Sequence, residues 1–243
     1  MKKTLYVLLI LFSVGVIIFF LIDESMPEGK SGPDAEALAE RMLVAINVEA
    51  WEQIPFISWS FRDAHHYVWD KQNHLVLVKW EDYEAVIDLN LIKGKATRSG
   101  KALEGAEREE AVLNAWAFFC NDSFWLNAPA KAFDDGATRK IVVDENGSDQ
   151  LLIQYESGGV TPGDAYLWQL DENYLPVSYK MWVSIIPFGG VKSTWSDWKE
   201  FDGAMISTSH NLGPLEIAVR DIKTGTSLQD FGLAPNLFDL SFQ

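Results

Sequence analysis

The sequence has a single cysteine, Cys120, in 243 residues, so it forms no intramolecular disulfide and holds no cysteine-rich zinc site. Cys120 sits among apolar neighbours in AWAFFCNDSFW and reads as a buried, inert thiol. Basic residues are scarce: 20 Lys and Arg stand against 35 Asp and Glu, giving a formal net charge of -15, and no basic cluster interrupts that balance. Such a surface repels nucleic acid and anionic headgroups, so no nucleic-acid partner is expected. There are four histidines. His65 and His66 are adjacent, so on a strand they point to opposite faces and do not chelate one ion, and His74 and His210 lie far off in the sequence. No metal and no cofactor are expected.

Catalytic signatures are missing too. There is no G-x-S-x-G elbow, and Ser207, Thr208 and Ser209 beside His210 are ordinary hydroxyls on a strand. Asp and Glu are too many for a glycosidase pair to stand out. Gly158, Gly159 and Gly163 lack the Lys-Ser or Lys-Thr of a phosphate loop, and a strand follows them where a helix N-terminus is needed, so they read as a hairpin turn. The chain is expected not to be an enzyme. No fixed-period repeat or low-complexity segment occurs.

What the sequence does contain begins with an uncharged run, Leu5 to Ile22, preceded by Lys2 and Lys3 and closed by Asp23 and Glu24. It is long enough to cross a bilayer as a helix, stays bulky to its end, and lacks the small-residue cleavage site of a secretory signal. Residues 1–24 are therefore expected to be an uncleaved signal anchor, a single transmembrane helix through the bacterial inner membrane. The charge asymmetry puts the rest in the periplasm or cell exterior. Residues 25–33 read as a flexible tether, and 34–243 as one extracytoplasmic domain.

Asp34 is placed to cap a helix running to about Trp51, with Leu38, Met42, Leu43, Ile46 and Ala50 on its apolar face. Successive strands are expected over 54–61, 67–70, 74–80 and 83–90, the last with Tyr83, Ala85, Ile87 and Leu89 on one side. Residues 92–101 are a basic connection able to form a short strand. Glu104 to Phe119 is helical, with Val112, Ala115, Trp116 and Phe119 on one stripe. NDSFWLNAPAK, 121–131, should break that helix into a second capped turn. Strands return over 139–144, 151–156, 192–201, 204–210 and 215–223.

The meander at 165–170 and 176–186 is the densest aromatic stretch. Tyr166, Trp168 and Leu170 share one face, as do Val177, Tyr179, Met181, Val183 and Ile185, while Leu167, Trp182 and Ile186 point the other way. Aromatic residues on both faces imply a sheet covered on both sides or curved. The fold class is thus mainly β (α+β): a curved antiparallel sheet or half-barrel of roughly ten strands, with an N-terminal helix and a central helical insert. The 10 Trp fill a core or wall an apolar pocket. In the pocket reading, Trp168, Trp182 and Trp116 are the walls.

The anchored N-terminal helix, the run of strands, the central helical insert and FWLNAPAKAFDDG, with Trp125, Leu126 and Pro129 ahead of strand 139–144, together resemble the Lol-type lipoprotein-carrier fold over about 34–223. The resemblance implies an antiparallel half-barrel whose concave side, closed by helices, holds acyl chains. No family site residue maps onto this chain, and such carriers are usually soluble or lipid-anchored, whereas this chain keeps a membrane run. The expected function is a non-catalytic extracytoplasmic protein that binds a lipid, acyl chain or other hydrophobic ligand. The alternatives are a structural or interaction domain of an envelope assembly with a filled core, and an envelope hydrolase.

Overall fold

The computed structural model describes residues 23–157 and 162–240. The expected membrane span at 5–22 lies outside them, and among the described residues no helix is long and apolar enough to cross a membrane. The architecture is a large open antiparallel sheet of 14 strands with a helix inserted at the centre of the chain.

Two meanders build the sheet. The first holds β1 (Phe56–Phe61), β2 (His65–Asp70), β3 (Leu75–Trp80), β4 (Tyr83–Asp88), β5 (Lys93–Arg98) and the two-residue β6 (Lys101–Ala102), each paired with the next. The second holds β7 (Ala137–Val143), β8 (Asp149–Tyr155), β9 (Ala165–Leu170), β10 (Pro176–Trp182), β11 (Val191–Thr194), β12 (Ser196–Phe201), β13 (Ala204–Leu212) and β14 (Leu215–Gly225). The last strand, β14, joins them: its first half pairs with β13 and its second with β1. At that switch two residues oppose Trp59 between Ser58 and Ser60, a bulge with Asp221 at φ 52 and its carboxylate accepting from Ser60 Oγ at 2.9 Å. A bulge there bends the strand and lets it serve both meanders.

The strand count exceeds the roughly ten expected: besides the eleven segments read as strands, 92–101 forms β5 and β6, and 192–201 divides in two. Trp195, buried at 2% exposure, turns inward between β11 and β12, and the chain leaves β10 to pair with β13 alone. β10 ends at Trp182, short of the expected Ile186, where a turn hydrogen-bonds Ile186 N to Val183 O.

The N-terminal helix is two helices, α1 (Pro33–Ala45) and α2 (Val48–Gln53). Asn47 interrupts them in the left-handed region at φ 51, its amide donating to Gly203 O at 2.8 Å. Asp34 does not cap α1; Gly32 holds that position and Pro33 begins the helix. The central helix α3 (Gly105–Asn127) runs without the expected break at 121, and a 3-10 turn, Ala128–Lys131, follows.

All three helices pack on one face of the sheet, where alternate residues such as Ile57, Trp59, Tyr67, Val76, Ile87, Ile153, Trp168 and Tyr179 form the main core. The other face carries apolar clusters too. The C-terminal segment lays Leu228, Leu233, Leu237, Phe238 and Leu240 over Phe56, Val68, Leu75, Leu77 and Val86. At the other end of the sheet, Leu152, Ala165, Leu167 and Trp182 cluster on this outer face. The segment ahead of α1 makes contacts beside them: Glu24 O accepts from Trp182 Nε1 at 2.6 Å, Asp23 Oδ1 accepts from Gly189 N at 2.9 Å, and Lys30, within the expected tether, pairs with Ile141 at the β7 edge.

Candidate ligand-binding site

A cavity of about 400 Å³ lies between the second half of α3 and the inner face of β8, β9 and β10. Helical spacing brings Phe119, Cys120, Ser123 and Phe124 of α3 to it, and strand alternation brings Tyr155, Tyr166, Tyr179 and Met181. Val183, Ile185 and Ile186 of the turn after β10 close one side. The mouth is marked by exposed lining residues: Asp134 and Asp135, and Ile185 at 70% exposure. Gly136 fixes the acidic turn. Its φ is 82, and a side chain there would collide with Ser157 Oγ, so only glycine lets the turn lie against β8.

The interior is aromatic. Phe124 and Tyr166 lie 4.5 Å apart, and Tyr155 meets both edge-on at about 6 Å. The hydroxyls of Tyr155 and Tyr179 are buried with no hydrogen-bond partner among the described residues. Burial pushes both phenols well above their ordinary pKa, assisted by Asp134 at Tyr155 and by Tyr166 at Tyr179, so both remain neutral donors. Burial and then Asp164 do the same for Tyr166, and Asp164 also accepts from Ser184 N at 3.0 Å, holding the turn after β10 against β9. Cys120 is half-buried at the cavity wall, not fully enclosed as expected, and burial pushes its thiol up to about 11.

None of the three tryptophans expected as walls lines this cavity. Trp168 is fully buried one layer behind it, edge-on to Tyr179 at 4.9 Å and to Trp195 at 5.0 Å. Trp116 packs against the main core one turn before Phe119. Trp182 sits on the outer face against Glu24.

The structure also brings together residues that the sequence left apart. Asp122 of α3, 1% exposed, accepts from Tyr67 Oη at 2.6 Å and from Asn121 Nδ2 at 2.7 Å, and His65 Nδ1 lies 2.6 Å from the oxygen that Tyr67 shares. Phe118 stacks on the His65 ring at 4.3 Å. This cluster clasps α3 to β2. His210 is fully buried between Trp195 and Trp125 and makes only off-geometry approaches to the backbones of Thr194 and Trp125. Burial lowers it to about 4. The neighbouring hydroxyls turn elsewhere: Ser207 donates to Ser196 O, Thr208 to Asp197 and Ser209 to Glu216. Among the described residues no group of three or more His, Cys, Asp or Glu could hold a metal ion.

No family model matches the sequence, and no curated protein matches it. The fold is similar to that of a DUF1329 family protein from Desulfovibrio piger. That crystal structure aligns with a TM-score of 0.43 and 13% identity, over 84% of this chain and 96% of the other. Likeness at that level leaves the ligand to be read from the cavity's own residues.

Proposed function

We propose that this chain is a non-catalytic carrier or sensor of half-barrel type that holds one hydrophobic chain between α3 and the sheet. The observation that carries this reading is the cavity of about 400 Å³, whose wall is mostly aromatic and aliphatic side chains on rigid elements. It falls in the range of about 300–1,000 Å³ in which small-molecule sites occur. A methylene is close in size to a water molecule, roughly 30 Å³, so one acyl or alkyl chain of about a dozen carbons fits, and a lipid with several chains does not. Each methylene withdrawn from water contributes about 0.8 kcal/mol. In this reading the uncharged run at 5–22 anchors the chain in the bacterial inner membrane and the domain faces away from the cytoplasm.

Native mass spectrometry tests it on residues 23–243, which begin where the docked N-terminal segment begins, purified without detergent from an envelope fraction. Recovery of one amphiphile per chain, identified after extraction, is the expected result. A ligand-free protein whose intrinsic fluorescence ignores added decanol would overturn the reading and favour an interaction module with a filled core.

A further inference from the structure

The cavity is apolar inside and acidic at its mouth. Asp134 and Asp135 stand exposed there, with the buried Asp164 engaged by Ser184 N deeper in the wall, against one basic lining residue, Lys131, whose Nζ already lies 3.4 Å from Asp134 Oδ2. The nearby Arg139 is committed elsewhere: Nε donates to Glu36 at 2.6 Å, and a terminal nitrogen donates to the carbonyls of Ala132 at 2.8 Å and Ala137 at 3.0 Å. Just inside stand the mutually packed rings of Phe124, Tyr155 and Tyr166. Ring faces attract cations, so an aromatic wall beside carboxylates favours an ammonium group over a neutral or anionic one. The Tyr155 hydroxyl oxygen, buried and unpartnered among the described residues, is an acceptor that the N–H of an amine head could use and a purely hydrocarbon ligand would leave empty.

We infer that the cavity takes a cationic amphiphile, its chain between α3 and the sheet and its amine or quaternary ammonium head at the mouth, against the packed Phe124, Tyr155 and Tyr166 rings and beside the carboxylates of Asp134 and Asp135. The chain half of this rests on the reading given under Proposed function; the head is new. A fatty acid would bring its carboxylate to a mouth of like charge, and a neutral alcohol would gain nothing there.

Cys120 provides the readout, because it is the only cysteine in the chain and lines the cavity. The full chain, held in zwitterionic lipid nanodiscs, is alkylated with N-ethylmaleimide in the presence of octyltrimethylammonium, octanol or octanoate, three probes with one chain and different heads. Octyltrimethylammonium is expected to protect Cys120 at roughly tenfold lower concentration than octanol, with octanoate weaker than octanol. The ratio should shrink toward one in the double variant Asp134→Asn, Asp135→Asn and in 1 M salt, where the Debye length falls to about 3 Å. Neither carboxylate supports a buried hydrogen bond, so that variant keeps its fold, which circular dichroism checks. Octanoate protecting as well as octyltrimethylammonium, while octanol also protects, would overturn the cationic head and leave the chain site standing. Absence of protection by all three would overturn both.

Discussion

His210 is neutral in the fold because burial lowers it to about 4, against an ordinary value of about 6.5. Between those values the unfolded chain binds a proton that the folded one refuses. Stability is therefore full above about pH 6.5 and declines as pH falls toward 4, by about 3 kcal/mol from this residue. His210→Leu, which removes a ring with no well-formed hydrogen bond, should flatten the difference in thermal midpoint between pH 7.5 and 4.5. Cys120 behaves in the opposite sense: with its thiol pushed up to about 11, alkylation should be slow at pH 7 and rise about tenfold per pH unit below that value. An occupied cavity should slow it further. At this scale the aromatic face of the meander was legible, since Tyr166, Trp168, Tyr179 and Met181 all reach the main core. The choice among them was not. Trp182 has the opposite parity to Tyr179 and Met181, so it could never share a wall with Trp168, and that much was open to strand alternation alone. That Trp168 sits behind Tyr179 instead of beside the cavity depends on where α3 crosses the sheet, which no local pattern encodes.

The elements show the same division. Asn121, Asp122 and Ser123 compete with the helix backbone for hydrogen bonds in isolation, so the sequence suggested a break. In the fold Asp122 finds Tyr67 and His65 on β2, more than 50 residues away in sequence, and α3 continues through it. Tertiary partners overrule propensity here. Asp122→Ala leaves the buried Tyr67 hydroxyl without its acceptor and should cost about 3 kcal/mol, read as a lower urea midpoint at unchanged slope. His65→Ala should cost less, because that side chain is 20% exposed and water replaces part of what it loses. The hairpins were legible because their turns are local. The β1 to β14 pairing was not: Phe56 meets Gly225, and only the assembled sheet sets that register.

As a whole, the described molecule is a sheet apolar on both faces, with helices over one side and the C-terminal segment over part of the other. Deleting 226–243 should uncover Phe56, Val68, Leu75, Leu77 and Val86 together. The expected result, set against residues 23–243 under the same conditions, is stronger binding of a hydrophobic dye and elution as aggregates from size exclusion. Docking at the opposite end works differently. A free segment of nine residues would wander over roughly 17 Å, but Asp23 and Glu24 are fastened to Gly189, Lys180 and Trp182, and Ile185 and Ile186 of the same turn border the cavity. The outer-face anchorage of Asp23 and Glu24 and the apolar wall of the cavity therefore share one turn, 183–190. A strain applied to one side of that turn is carried to the other through a few residues of backbone, so loosening the outer contacts would also loosen the wall formed by Ile185 and Ile186.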